Sequence, residues 1–139
     1  MNQSTDHSPM PGDGLRLPRT WSQKFRDAFR GMVRGVQGQQ SFTVHFVVSG
    51  LVVGVAAALR VDLVEWYVLI VCILVVLVAE MFNSALESMA KAITGQQHPH
   101  LGDALDISSA AVLLASLGAS IVGAIIFLHR AGVLLAWWK

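Results

Sequence analysis

Three polar side chains with chemical potential lie in apolar surroundings and share a regular spacing. Glu80, Asn83 and Glu87 stand at positions i, i+3 and i+7 of a hydrophobic stretch, which places them on one face of a helix. A carboxylate near the centre of a membrane costs about 2.5 to 3.5 kcal/mol on insertion scales. Two carboxylates and an amide in this arrangement suit a metal site, a proton-transfer site or a polar clamp between helices. Asp103 and Asp106 add a second acidic pair at i and i+3.

The composition indicates that a membrane surrounds these residues. Of the 139 residues, 54% are hydrophobic and only 14% are charged, whereas a soluble domain carries about 25% charged residues. The net charge of +1 excludes a strongly basic nucleic-acid binder, and the single Cys72 excludes a disulfide framework within the chain. We therefore expect the lipid bilayer as a partner and no nucleic acid.

Three apolar stretches are long enough to position the polar side chains within a bilayer. Each is close to the roughly 20 residues that cross a hydrocarbon core. Backbone amides in lipid must be paired internally, so the spans must be helices. We place the spans at about 42–60, 64–93 and 105–129. The sequence thus predicts an all-α membrane protein with three transmembrane helices.

A basic amphipathic helix precedes the spans over residues 20–38. Thr20 and Gln23 have the spacing of a capping box, and apolar residues then recur at helical spacing with Lys and Arg between them. Such a helix lies in the headgroup layer of a membrane; the alternative is a solvated helix on a soluble core. We expect residues 1–18 to form a disordered tail, 19–129 one membrane domain, and 130–139 an interfacial tail with Trp137 and Trp138.

The distribution of basic residues predicts the orientation in the membrane. Most Lys and Arg residues precede Phe42, and Lys91 lies between the second and third spans. The opposite side holds Arg60, Arg130 and Lys139. Because cytoplasmic segments carry the excess of basic residues, we expect a cytoplasmic N-terminus.

The polar stripe resembles that of the prokaryotic diacylglycerol kinase family, which includes the undecaprenol kinases of Gram-positive bacteria. The resemblance rests on the run Glu80–Glu87 (EMFNSALE), on Asp106 ahead of the third span, and on the segments 25–31 and 41–45. It covers the chain from about Trp21 to His129. The resemblance implies a homotrimer of three-span subunits, each with a surface helix, in the bacterial inner (cytoplasmic) membrane.

The resemblance also implies a reaction and a role for each matched residue. The reaction is transfer of the γ-phosphate of ATP to a lipid alcohol, diacylglycerol or undecaprenol, at the cytoplasmic membrane surface. By position, Glu80 matches the general base and Glu87 a ligand of Mg²⁺. Asn83 matches a residue near the transferred phosphate, and Asp106 an acid of the nucleotide region. Phosphoryl transfer depends on positioning and charge neutralisation, which these residue types supply.

Three positions depart from the family pattern. Gln39 stands where the family has a second metal-binding glutamate, and Leu105 stands where it has a phosphate-binding lysine. Lys91 replaces a common aspartate four residues after Glu87. It either supplies the missing phosphate cation or forms a helix pair with Glu87 worth about 0.3 to 0.5 kcal/mol.

These departures leave a second function open. An amide binds Mg²⁺ less strongly than a carboxylate, so we expect Gln39 to be a weaker metal ligand than glutamate. The alternative to a lipid kinase is a catalytically silent family member that binds lipid or nucleotide, or that serves in membrane assembly.

Overall fold

Four α-helices make up the described part of the chain. The computed structural model describes residues 20–37, 40–93 and 98–135. Its helices are α1 (Trp21–Val36), α2 (Gln40–Ala58), α3 (Leu63–Ile93) and α4 (Pro99–Leu134). These residues contain no strand, which confirms the predicted all-α class. The N-terminal tail at 1–18, Gln39, Trp137 and Trp138 lie outside the described residues.

The last three helices are long and apolar enough to cross a membrane, as the sequence predicted. α3 has 31 residues and α4 has 36. Because about 20 residues cross the hydrocarbon core, both helices extend beyond it. α4 also reaches past the predicted 105–129 span on both sides. Pro99 favours its early start, since proline suits the first turn of a helix.

α1 is the predicted amphipathic helix. The Gln23 amide donates to Thr20 Oγ1 at 3.4 Å, and the Thr20 amide donates to Gln23 Oε1 at 2.9 Å. This confirms the predicted capping box. No residue of α1 is buried, and the rings of Trp21 and Phe25 are open to the surroundings. An uncovered aromatic face beside basic residues suits the headgroup layer of a membrane.

α3 is the central helix and contacts each of the other three. α4 packs against it most extensively, while α1 lies against its second half, where a Cβ atom on Gly35 would collide with Sδ of Met81. Large apolar side chains face outward along all four helices. Such a surface would aggregate in water, so the arrangement agrees with helices that lipid surrounds.

The connection from α2 to α3 is a tight turn through Arg60. Its φ of 51° lies in the left-handed region that glycine usually occupies. The Arg60 and Val61 amides donate to the carbonyls of Ala57 and Ala56, which is a Schellman ending to α2. Val61 then joins Ala56 in a buried cluster with Leu69. The turn therefore sets the end of α2 against the start of α3.

An ionic cluster ties the start of α3 to the end of α4. The backbone amides of Asp62 and Glu65 each donate to the other residue's carboxylate at 2.9 Å, the geometry of a capping box. The Arg130 guanidinium contacts both carboxylates, and His129 Nδ1 lies 4.0 Å from Glu65 Oε1. At a rise of 1.5 Å per residue, Glu65 and Glu80 are about 22 Å apart along α3. The cluster is therefore remote from the polar stripe.

The ionic cluster makes the stability of the protein fall at acidic pH. The hydrogen bond from the Glu65 amide, with the charge of Arg130, lowers the pKa of Asp62 below its ordinary value of 3.8. A lowered pKa in the folded state stabilises the protein above about pH 4, and this stabilisation is lost as pH falls through the lowered pKa. We expect the thermal midpoint in detergent to fall between about pH 4 and pH 2 in the wild type, and to fall less in Asp62→Asn.

Asparagine still caps a helix, so Asp62→Asn removes the titration and keeps the turn. Asp103→Asn is the matched control, because Asp103 is an exposed carboxylate that lies near His100 and not near Arg130. An equal pH dependence of the thermal midpoint in the wild type and in Asp62→Asn would contradict the assignment.

Candidate active site

The polar stripe of α3 is mostly withdrawn from the surroundings, and two of its three residues are hydrogen-bonded to each other. Glu80 and Asn83 are buried and Glu87 is half-buried. The Asn83 side-chain amide donates to Glu87 Oε1 at 3.1 Å, one helical turn apart. Helical geometry thus brings together the three residues that the sequence singled out.

Glu80 is the most buried of the three, with 2% of its surface exposed. Its Oε1 atom has no hydrogen-bond partner among the described residues. Its Oε2 atom lies 3.8 Å from His45 Nε2 on α2. Buried carboxylate oxygens normally find a donor, so a buried oxygen without one calls for a functional or structural explanation. This oxygen has the capacity to accept a proton from a bound hydroxyl group.

Two serines of α4 fix the position of Asn83. The Ser108 hydroxyl lies 2.6 Å from Asn83 Oδ1 and 2.8 Å from the Leu105 carbonyl, and Ser109 Oγ lies 3.4 Å from the same Asn83 oxygen. Because Oδ1 accepts and the amide nitrogen donates, a chain of hydrogen bonds runs from Ser108 through Asn83 to Glu87. Such outer partners orient the carboxylates that bind metals.

No sequence pattern assigned roles to His45, Ser108 or Ser109. His45 is far from Glu80 in the sequence, and only the packing of α2 on α3 reveals their proximity. The serines follow Asp106 directly at the start of an apolar run. Two hydroxyl groups at the start of an apolar helix were the sequence feature that could have indicated a role for these serines.

The remaining predicted residues that the structure describes take no part in these hydrogen bonds. Asp106 and Lys91 are exposed, on α4 and α3 respectively. No ion pair between Lys91 and Glu87 is found among the described residues, and the choice between the two roles of Lys91 stays a prediction. The predicted position of Gln39 as a metal ligand falls outside the described residues.

The donor set of the cluster suits a weakly held, shared Mg²⁺ ion. Within residues 20–37, 40–93 and 98–135, no group of three His, Cys, Asp or Glu side chains is arranged to hold a metal. Mg²⁺ commonly uses one or two carboxylates and completes its shell with waters and substrate phosphates. Glu87 fits this pattern, because Asn83 holds one of its oxygens in place.

Most of the chain is similar in sequence to a known protein family. A family model described as prokaryotic diacylglycerol kinase matches residues 26–127. A diacylglycerol kinase of Synechocystis is 32% identical over 105 residues, which are 75% of this chain and 60% of that protein. A diacylglycerol kinase of Escherichia coli is 30% identical over 105 residues, or 76% of this chain and 86% of that protein. The matched region contains the whole polar stripe.

Proposed function

The chain belongs to the prokaryotic diacylglycerol kinase family, a family of lipid kinases, and we propose that it transfers the γ-phosphate of ATP to a lipid alcohol at the membrane surface. The observation that carries the proposal is the carboxylate of Glu80, which is buried on a membrane-spanning helix. Its Oε1 atom accepts no hydrogen bond from any described residue. The acceptor is proposed to be a membrane lipid because Glu80 lies on a helix that is long and apolar enough to cross a membrane.

Each residue of the cluster has a part in this proposal. Glu80 Oε1 accepts the proton of the lipid hydroxyl as its oxygen attacks the γ-phosphorus. The bond to the β-phosphate breaks, so that ADP leaves and a lipid phosphate forms. Asn83 positions Glu87, and Asp106 lies beside the nucleotide. When bound at Glu87, Mg²⁺ would neutralise phosphate charge.

His45 has a positioning role in the proposal. Its Nε2 atom lies 3.8 Å from Glu80 Oε2, which is beyond hydrogen-bond distance. It faces the oxygen opposite to the one that receives the proton. His45 thus leaves Oε1 available to the lipid hydroxyl.

Diacylglycerol is the acceptor that we propose ahead of undecaprenol. Both relatives described above are named diacylglycerol kinases. The outward apolar faces of α2, α3 and α4 do not distinguish the two lipids, because both present hydrocarbon chains. The proposal therefore rests on the relatives and requires a direct comparison of acceptors.

A catalytically silent family member is the second candidate function. The observation that favours it is Leu105, which has no cationic side chain and whose carbonyl lies 2.8 Å from the Ser108 hydroxyl. The residue type at position 39 also favours this function, since Gln39 has an amide where the family has a carboxylate. A silent member would still bind lipid or nucleotide at the same stripe.

One assay separates the two candidates and the two acceptors. The full chain in lipid nanodiscs receives ATP labelled at the γ-phosphate, with diacylglycerol in one sample and undecaprenol in another. Labelled phosphatidic acid would support diacylglycerol as the acceptor. Labelled undecaprenyl phosphate would show that the acceptor is undecaprenol. Nucleotide binding without any labelled lipid would support the silent member.

We also propose a homotrimer in the inner membrane with a cytoplasmic N-terminus. The family membership supports the assembly, and the basic residues of α1 support the orientation through the excess of positive charge in cytoplasmic segments. The exposed apolar faces of α2 to α4 leave ample surface for contacts between copies. Native mass spectrometry from nanodiscs would measure the number of copies directly.

A further inference from the structure

A groove of about 670 Å³ separates α1 from the second half of α3. Two cationic side chains line it, Arg34 from α1 and Lys91 from α3, and no carboxylate of the described residues does. The other lining residues are small, apolar or uncharged. The groove is therefore electropositive.

The two cations come from different helices. No ion pair joins Arg34 or Lys91 to a carboxylate within the ranges 20–37, 40–93 and 98–135. Like charges that face one groove repel each other. An anion between them would remove this repulsion and gain charge-assisted hydrogen bonds.

A buried hydroxyl group supplies a second, independent observation. Ser84 lines the same groove and is 5% exposed. Its Oγ atom is buried and has no hydrogen-bond partner among the described residues. Buried hydroxyl groups normally have a partner, and a rotation about χ1 that turns the Ser84 hydroxyl into the groove would bring it to an oxygen of a bound anion.

From these observations we propose that the groove binds a phosphate group, with Arg34 and Lys91 as its cations and Ser84 as a hydroxyl donor. Ser84 follows Asn83 by one position, which turns it by about 100° to the adjoining face of α3. The bound phosphate therefore lies at the same height along α3 as the polar stripe, on the adjoining face of the helix. Lys91 and Arg34 take the place of the cation that Leu105 does not provide.

The inference deepens the proposed function and rests on it for the identity of the ligand. Within a lipid kinase reaction, a phosphate in this groove belongs either to the nucleotide or to the phosphorylated lipid. The recognition chemistry is the same for both, namely two cations and a hydroxyl group. Separate binding measurements distinguish them.

The test measures binding and not turnover. The full chain in nanodiscs is titrated with a non-hydrolysable ATP analogue and Mg²⁺, and in parallel its binding to phosphatidic acid in the nanodisc lipid is measured. Arg34→Gln and Lys91→Gln are each expected to weaken binding of one ligand about tenfold. Arg26→Gln is the matched control, because it removes the same charge from α1 and does not line the groove.

The outcome identifies the source of the phosphate. Weaker binding of the ATP analogue assigns the groove to the nucleotide, and weaker binding of phosphatidic acid assigns it to the lipid product. Unchanged binding of both ligands in the Arg34→Gln, Lys91→Gln double variant would overturn the inference. So would an equal loss in the Arg26→Gln control.

A steric variant checks the groove without removing charge. Gly31 lines the groove, and a Cβ atom there meets nothing within 4 Å. Gly31→Leu fills part of the groove and improves helix propensity, so we expect weaker binding with no loss of helix content. Binding equal to that of the wild type would count against the groove as the site.

The inference and the proposed function can fail separately. A wild-type protein that shows the expected binding losses but transfers no phosphate would overturn the kinase proposal and keep the groove. A protein that phosphorylates lipid, with variants that bind like the wild type, would keep the kinase proposal and overturn the groove.

Discussion

Replacing Glu80 by glutamine is expected to lower kcat for lipid phosphorylation by about 10²- to 10⁴-fold, the usual contribution of a general base. Glutamine has nearly the same shape, but its amide cannot accept the proton of the lipid hydroxyl. The affinity for the nucleotide should change little, because Glu80 acts on the acceptor. The measurements are the initial rate of γ-phosphate transfer at saturating ATP and the Kd of a non-hydrolysable ATP analogue.

Glu65→Gln is the control for this substitution. Glu65 lies on the same helix about 22 Å away, in the ionic cluster with Arg130. The variant makes the same chemical change and weakens that cluster, so its stability should fall while its kcat stays near the wild-type value. A Glu80→Gln protein with wild-type kcat would show that another group accepts the proton.

The sequence predicted the polar stripe because all its members lie on one helix. The spacing of Glu80, Asn83 and Glu87 fixes a shared face through helical periodicity alone. The capping box at Thr20 could be predicted for the same reason, since its two partners are three residues apart. Local geometry is readable from local sequence.

Contacts between helices were not accessible in this way. The approach of His45 to Glu80 depends on how far α2 slides and rotates against α3, and Ser108 meets Asn83 only because α4 packs along the same helix. These registers follow from many weak packing contacts with no sequence signature. The contact between Asp62 and Arg130 could not be predicted for the same reason.

Lys91 lies where the sequence allowed two roles. Position alone allowed Lys91 either to pair with Glu87 or to meet a phosphate. The structure shows no Lys91–Glu87 ion pair in its described part, and it places Lys91 in the groove with Arg34. Arg34 had no role in the resemblance, so the pairing of the two cations emerges only from the packing of α1 on α3. The role of Lys91 itself stays a prediction.

Replacing Glu87 by glutamine is expected to raise the Mg²⁺ concentration for half-maximal activity by at least about tenfold. The amide oxygen of glutamine can still accept the hydrogen bond from Asn83, so the geometry is retained while the negative charge is lost. Mg²⁺ prefers carboxylate ligands. The measurement is the rate of lipid phosphorylation across a Mg²⁺ titration at constant free ATP.

The reciprocal change at Gln39 makes the assignment specific. If Gln39 lies beside the metal, as its family position implies, Gln39→Glu adds a carboxylate. It should then lower the Mg²⁺ requirement of the wild type and recover part of the loss in Glu87→Gln. Asp103→Glu is the control, because it retains an acidic group on α4 outside the α3 cluster. If Glu87→Gln and the wild type had the same Mg²⁺ titration, Glu87 would be excluded as the ligand. Arg34 and Lys91 alone would then neutralise the charge of the nucleotide.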